Sequence, residues 1–165
     1  MNIKILVYRF LNYVLRCVVR LLGLKLKSQI LVEREPHRIG NTYRDGLLLT
    51  VKIKGVKVGT AYLTYGSYYF DKDANYAVLY SLFVHPVYRR LGIGTDLVTA
   101  AYGQSTEKGF EELFVMCADM NYKMHALLQR IGYADSRQSK FYGLYQRELN
   151  AYENRRLIGF FRKTE

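Results

Sequence analysis

Tryptophan is absent from this chain of 165 residues, and proline and cysteine each occur only twice. Cys17 and Cys117 are far apart in sequence, so they form neither a disulfide framework nor a pair with metal-ligand spacing. This pattern excludes the small disulfide-stapled secreted proteins and favours a reducing compartment such as the cytoplasm. We therefore expect no metal centre, and a core built from the 50% of residues that are hydrophobic.

Acidic residues are missing from the beginning of the chain. Residues 1–28 contain six basic side chains and no acidic one, whereas residues 29–150 contain fifteen basic and twelve acidic side chains. Much of the formal net charge of +11 is therefore concentrated near the ends, which indicates attachment to an anionic surface or packing in an assembly. Because no nucleic-acid-binding motif is recognisable, we expect no specific nucleic-acid partner.

Residues 2–27 contain no proline and predict an amphipathic basic helix. Its arginines interrupt the apolar sequence, which argues against a secretory signal and against a membrane-spanning segment. Three alternatives stay open: the helix packs on its own domain, lies between subunits of an assembly, or lies in a membrane interface. Most of the helix is apolar, and an arc of about 80° holds six of its polar residues: Asn2, Arg9, Asn12, Arg16, Arg20 and Lys27.

The rest of the chain alternates between strand and helix patterns, which predicts an α/β domain with a mixed sheet. Residues 76–84 are almost continuously apolar and predict a central strand buried on both faces. Residues 36–45 and 67–75 read as turns and a polar loop, and the basic, aromatic residues 155–163 as a contact arm or a frayed end. We expect strands at 28–35, 46–52, 56–65, 76–84, 112–118 and 141–149, and helices at 95–108 and 121–130.

The stretch from Leu82 to Gly94 reads as a strand end, a loop with a basic pair, and two glycines that open a helix. The first N–H groups of a helix are unpaired and attract anions, and glycine lets a ligand approach them closely. Arginines such as Arg89 and Arg90 bind phosphate through paired N–H groups. The stretch therefore predicts a phosphate-binding loop, the alternative being a tight turn without a ligand.

These features together resemble the GNAT family, the Gcn5-related N-acetyltransferases. The family's acetyl-CoA signature, Arg or Gln, two residues, Gly, one residue, Gly or Ala, matches residues 89–94. The resemblance covers residues 46–149 and includes further matches at 54–63, 84–86, Tyr88, 107–110, Asn121, Leu127, Gly132 and Tyr133.

The resemblance implies a GNAT-like mixed, mostly antiparallel central sheet flanked by helices, with an extra N-terminal helix. It divides the chain into an amphipathic basic helix at 1–27, an acyl-CoA-binding domain at 28–150 and a basic, aromatic tail at 151–165.

Acetyl-CoA is the co-substrate that the resemblance implies. Backbone groups of residues 82–84 would pair with the pantetheine arm, and the N–H groups of residues 90–95 would hold the pyrophosphate. The implied cofactor-binding residues are Leu82, Phe83, Val84, Arg89, Arg90, Leu91, Gly92, Ile93, Gly94, Thr95 and Asn121.

Acetylation of an amine needs a base for the amine and benefits from an acid near the departing thiolate. The resemblance places the family's tyrosine acid at Leu128 and a common glutamate base at Met116. The connection at 36–45 is also too short for the helices that form the family's acceptor wall. The remaining candidates for proton transfer are Tyr80, Tyr142 and His125, followed by Tyr145, His85 and Asp119, whose plainer role is to cap the helix near Asn121.

Two hypotheses follow. The first is an acetyl-CoA-dependent N-acetyltransferase that acts on an unidentified amine. The second is a non-catalytic GNAT scaffold, docked at a membrane or built into an assembly such as the interior of a phage virion. Residues 2–27 would contact a membrane surface or a protein assembly, and a homo-oligomer is a further expectation. We expect a cytoplasmic protein, and the second hypothesis adds two locations, at the periphery of a membrane or inside a larger particle.

Overall fold

The computed structural model describes residues 3–21, 28–34, 37–39, 42–44, 46–65, 75–151 and 157–164. Its helices are α1 (Ile3–Leu21), α2 (Ile93–Glu107), α3 (Tyr122–Arg130) and α4 (Tyr142–Ala151), with short 3-10 helices at Pro86–Tyr88 and Ser136–Gln138. Its strands are β1 (Ser28–Arg34), β2 (His37–Ile39), β3 (Thr42–Arg44), β4 (Gly46–Ile53), β5 (Val56–Tyr65), β6 (Tyr76–Val84), β7 (Glu112–Ala118), β8 (Ala134–Asp135) and β9 (Leu157–Lys163).

Seven strands form one sheet in the order β1-β4-β5-β6-β7-β9-β8, while β2 and β3 form a separate antiparallel pair. Among the described strands, β6 and β7 are the one parallel pair, and α2 connects them. The other neighbours in the large sheet are antiparallel. The predicted fold class, a mixed and mostly antiparallel sheet flanked by helices with an extra N-terminal helix, is confirmed.

Apolar side chains of the sheet alternate between two faces, and each face has its own core. Leu79 and Val115 point to the face covered by α2 and α3, where Leu97 and Leu128 are fully buried against them. The opposite face carries an aromatic cluster with Tyr76, Tyr80, Phe114, Tyr145 and Phe161. Burial on both faces explains why the central strands have nearly continuous apolar sequences.

Most predicted elements are present within two residues of their expected ends. The Lys54-Gly55 turn joins β4 to β5, and both of its residues have positive φ angles, 48° and 79°. That backbone twist matches a two-residue hairpin turn. The prediction of a strand at 76–84 buried on both faces is right for its first half, but Ser81 and Phe83 are exposed.

The predicted strand at 141–149 is wrong, because Tyr142–Ala151 form α4. Its apolar residues also satisfy the helical spacing i, i+3, i+4 at Phe141, Leu144 and Tyr145. In the structure these three side chains pack together on the aromatic face of the sheet. The sequence of this segment fits both a strand and a helix period, and burial of one helical face selected the helix.

The interpretation of the C-terminal residues as a contact arm or frayed tail is also wrong. Leu157–Lys163 form β9, which pairs with β7 over its whole length and with β8 on its other edge. Phe160 and Phe161 are buried on opposite faces of the sheet. The folded domain therefore extends past residue 150. The basic pairs at 155–156 and 162–163 made this apolar strand resemble a surface tail in the sequence.

Residues 37–39 and 42–44 form a small hairpin where turns were expected. The predicted loop at 67–75 lies outside the described residues except for Asn75, and residues 22–27 of the predicted N-terminal helix also lie outside them. None of the helices in the described ranges combines the length and apolar character needed to cross a bilayer.

Candidate active site

A cleft opens where β6 and β7 diverge. Their parallel pairing runs from Tyr76–Glu112 to Leu79–Val115 and is not continued by the later residues of either strand. Beyond that point β6 pairs with β5, and β7 pairs with β9. The edges of β6 and β7 that face each other are therefore available to an extended ligand, which can add to a strand edge through main-chain hydrogen bonds.

A β-bulge marks the point of divergence. Ser81 and Leu82 together oppose Ala61, because Tyr62 pairs with Tyr80 whereas Thr60 pairs with Phe83. Ser81 has a φ of 52°, a left-handed conformation that costs a non-glycine residue on the order of 1 kcal/mol or more. Such bulges redirect a strand, and this one turns the end of β6 away from β7.

The end of β6 leads directly into the predicted phosphate-binding loop. After Val84 the chain passes through the 3-10 helix Pro86–Tyr88, and the Arg89 Nε donates a hydrogen bond of 3.0 Å to the Val84 carbonyl oxygen. Arg90, with a φ of 65°, and Arg89 are both exposed. The basic pair therefore lies at the rim of the loop, with Arg89 fastened to the strand end.

Gly92 is the N-cap of α2 and has a φ of 91°, so only glycine takes this conformation without strain. No side chain caps the N–H groups of the first turn, and the helix dipole adds positive potential there. Gly59 allows the start of α2 to pack closely on strand β5, because a Cβ on residue 59 would lie only 2.9 Å from the Ile93 Cγ2. The helix start therefore has the geometry of an anion site beside the strand cleft.

Asn121, predicted to contact the cofactor, is the N-cap of α3. Its side-chain oxygen accepts a hydrogen bond of 3.3 Å from the Met124 N–H. The expectation that Asp119 caps this helix is therefore wrong. Asn121 is exposed, and its amide NH₂ group is the part available to a ligand.

Tyr80 lies at the apex of the cleft, as the first residue of β6 beyond its last pair with β7. Its ring stacks on Tyr62 with centroids 6.0 Å apart, and only 5% of the residue is exposed. Met116 is the corresponding residue on β7, and it packs against the same aromatic cluster as Tyr80. Of the three predicted catalytic residues, Tyr80 is the one that the structure places at the apex of the cleft.

The other two candidates lie on helices rather than on β6. Tyr142 begins α4 rather than lying on a strand. His125 lies on α3, where its Nε2 is 3.2 Å from the Ala118 carbonyl oxygen and its ring packs on Phe160. It belongs to the α3 side of the sheet, opposite the aromatic face that holds Tyr80.

Three further residues of the site region are buried in the core: Tyr145, Leu128 and Cys117. Tyr145 is fully buried, with its ring 4.3 Å from that of Phe114, and Leu128 is fully buried beneath α3. Burial, reinforced by Asp119, raises the pKa of the Cys117 thiol to about 12, so the group is a neutral thiol at physiological pH. The described residues contain no group of three His, Cys, Asp or Glu side chains that could hold a metal ion.

The N-terminal helix packs on its own domain, which is one of the three alternatives that the sequence left open. Sequence reasoning missed its partner, the predicted phosphate-binding loop. The Asn12 Nδ2 donates hydrogen bonds to the Val87 and Arg89 carbonyl oxygens, at 2.5 and 2.9 Å. Tyr8 packs edge-on against His85, with ring centroids 5.5 Å apart. Asn12 is an uncharged polar residue among the arginines of this segment, which was the one available signal, but nothing in the sequence indicated its partner.

Comparison with known proteins agrees with this geometry. A sequence model of the acetyltransferase (GNAT) family matches residues 25–133, which is more than half of the chain. The chain belongs to this family. Acetyl-CoA is the co-substrate consistent with that membership, and the family supports N-acetyltransferase activity in general. No curated protein sequence matches the chain.

Solved GNAT structures share the fold. The IAA acetyltransferase of Bacillus cereus is 19% identical with a TM-score of 0.57, and the match covers 82% of this chain and 99% of that one. A Bacillus anthracis protein provisionally assigned as a streptothricin acetyltransferase, solved with acetyl coenzyme A, is 15% identical with a TM-score of 0.54, covering 85% and 90%. The Escherichia coli ribosomal-protein-S18-alanine N-acetyltransferase is 16% identical with a TM-score of 0.52, covering 73% and 70%.

These matches support the N-acetyltransferase hypothesis and give no support to the non-catalytic scaffold. The three neighbours are described as acetyltransferases, one of them provisionally, and nothing in the comparisons supports a non-catalytic structural component or a part of a virion. At identities this low, the neighbours establish the fold, and the family match supports the acetyltransferase assignment.

Proposed function

We propose that the protein transfers the acetyl group of acetyl-CoA to the nitrogen of an amine. The observation that carries the proposal is the continuous path from the cleft between β6 and β7 to the uncapped start of α2. CoA combines an extended pantetheine arm with a pyrophosphate, and these two features of the chain suit those two parts of the ligand.

In this arrangement the backbone of Leu82, Phe83 and Val84 binds the pantetheine arm as an added strand. The N–H groups of residues 90–95 bind the pyrophosphate, with Arg90 at the rim and Asn121 near the thioester arm. Leu91, Ile93 and Thr95 contribute through their backbone, and the burial of Ile93 at 2% exposure anchors the first turn. Arg89 holds the loop against Val84 through its side chain.

The thioester then lies at the apex of the cleft, beside Tyr80 and Met116. The neutral amine nitrogen attacks the thioester carbon, the carbon–sulfur bond breaks, and the products are an N-acetyl amine and CoA. Water accepts the proton of the amine, and the Tyr80 hydroxyl donates a proton to the departing thiolate. Tyr80 regains its proton through water in the cleft after CoA leaves. Alignment of amine and thioester in the cleft supplies much of the acceleration, since good alignment lowers a barrier by several kcal/mol.

Removal of the Tyr80 hydroxyl tests this assignment. We expect Tyr80→Phe to lower kcat about 100-fold, as loss of a general acid does, while the KM for acetyl-CoA stays close to the wild-type value. Mass spectrometry of the acetylated product, over a panel of primary amines, measures both constants. The matched variant Tyr142→Phe is expected to keep the wild-type kcat.

Two results would change the assignment of the acid, and a third would refute the transferase activity. Equal kcat values for the wild type and Tyr80→Phe would remove Tyr80 from the reaction. A low kcat for Tyr142→Phe alone would transfer the role of acid to Tyr142. Absence of any acetylated amine, from a protein that binds acetyl-CoA, would refute the transferase activity while leaving the cofactor site intact.

A further inference from the structure

One side of helix α1 packs on the domain, and the other side is exposed to solvent. Asn12 and Tyr8 face the loop at 85–89, as their contacts show. On the opposite side lies a set of exposed apolar side chains, which we call the outer face. The outer face consists of Val7, Phe10, Leu11, Tyr13, Val14 and Val18, which are 47%, 65%, 45%, 66%, 40% and 42% exposed.

The outer face is wide and continuous. At 3.6 residues per turn its six residues span an arc of about 160°, centred opposite Asn12. Scattered surface hydrophobics need no explanation, but a contiguous apolar stripe from Val7 to Val18 marks an interaction site. The described elements leave this stripe uncovered, since each of its six residues is at least 40% exposed, and the main contact of α1 is with the loop that carries Pro86–Tyr88.

Basic residues border the outer face, and α1 has no acidic residue. By helical spacing, Lys4 follows one edge of the apolar arc, and Arg9 and Arg16 follow the other. An apolar face with aromatic residues and flanking cations is the pattern of a helix that lies in the headgroup region of a membrane. Anionic lipids complement these charges, with each basic residue near such a surface adding to the attraction.

A second copy of the chain fits the same face less well. Packing two outer faces together would bring the arginines of one helix close to those of the other, with no carboxylate on α1 to pair with them. Like charges brought together in this way oppose association. The charge pattern therefore favours an anionic lipid surface over self-association.

We propose that the outer face of α1 binds an anionic membrane surface, with the helix lying parallel to the bilayer. Because Asn12 and Tyr8 fasten α1 to the loop at 85–89, the proposed acetyl-CoA site lies next to that surface. The proposal does not depend on the transferase activity, since it is argued from α1 and its contacts.

The absence of tryptophan provides a direct test. Phe10→Trp places a single tryptophan on the outer face, and Val56→Trp places one at a similarly exposed apolar position in the hairpin, 55% exposed. On addition of phosphatidylcholine vesicles that contain phosphatidylglycerol, we expect a blue shift of emission for Phe10→Trp and none for Val56→Trp. Vesicle sedimentation of the wild-type chain measures the same binding without a probe.

The strength of binding and its dependence on charge are further readouts. We expect anionic vesicles to bind the wild type about 100-fold more tightly than pure phosphatidylcholine vesicles, the factor that three basic residues contribute. The double variant Phe10→Ser, Tyr13→Ser should lose this binding and still fold, because both side chains are exposed. Circular dichroism checks its fold.

Three outcomes would overturn the proposal. The wild type could remain in solution with both kinds of vesicle, or it could bind neutral and anionic vesicles equally. The third is a stable dimer in sedimentation velocity that the double variant dissociates, without vesicle binding by the wild type. That result would assign the outer face to a second copy of the chain.

Discussion

Replacing Gly94 by aspartate is expected to weaken acetyl-CoA binding on the order of 100-fold, the effect of a carboxylate a few ångströms from the pyrophosphate. Gly94 is in the first turn of α2, among the N–H groups that we assign to the pyrophosphate. The fold should tolerate the change, because a Cβ at this position lies 3.4 Å from the Leu127 Cδ2, an ordinary contact. An acidic residue in the first turn also favours the helix dipole.

Isothermal calorimetry with acetyl-CoA measures the loss. The control is Gly94→Ala, which adds the same Cβ without the charge and is expected to bind close to the wild-type affinity. Thermal unfolding without ligand checks that both variants are folded. Wild-type affinity in the aspartate variant would show that the pyrophosphate does not bind at the start of α2, and an equal loss in both variants would indicate steric exclusion instead of electrostatics.

Replacing Gly159 by alanine is expected to destabilise the fold by about 3 kcal/mol, at the upper end of the cost of overpacking a core. A Cβ at this position of β9 would lie 2.1 Å from Cε1 and 2.7 Å from Cζ of the Tyr145 ring. Tyr145 is fully buried and stacks on Phe114, so the ring has no room to move aside. The strain would separate α4 from the sheet.

Thermal unfolding measures this effect, and we expect the Tm to fall by about 6–12 °C for a domain of this size. Gly103→Ala is the matched control, because nothing lies within 4 Å of a Cβ at that position in the middle of α2. Alanine should raise helix stability there by up to about 1 kcal/mol. A Tm for Gly159→Ala equal to that of the wild type would mean that α4 does not pack on β9 as described.

Local chemistry predicted much of the fold because several signals agreed. The apolar run at 76–84 predicted a strand and the glycines after Arg90 predicted the start of a helix, and the structure contains both. The backbone of the proposed phosphate-binding loop was predictable for the same reason, since Gly92 has the left-handed conformation that favours glycine.

The errors arose where tertiary packing decided the outcome. Residues 141–149 fitted both a strand and a helix, and burial of Tyr145 against Phe114 selected the helix. Residues 157–163 end in a basic pair and follow another at 155–156, yet pairing with β7 placed them inside the sheet. Likewise, no local rule connects Asn12 with the carbonyl groups of Val87 and Arg89, more than seventy residues away.

The divergence of β6 from β7 was also beyond sequence reasoning. It depends on the register of two strands with each other and on the bulge at Ser81 and Leu82. The family resemblance implied that residues 82–84 contact the cofactor, and the structure adds a physical reason. Their strand edge faces a cleft rather than another strand.

A crystal structure of the wild-type chain with acetyl-CoA tests the central claim most directly. We predict the pyrophosphate on the N–H groups of residues 90–95, the pantetheine arm between β6 and β7, and the thioester beside Tyr80. An acetyl-CoA molecule bound elsewhere, or an empty cleft at millimolar ligand, would contradict the assignment of this cleft as the acetyl-CoA site.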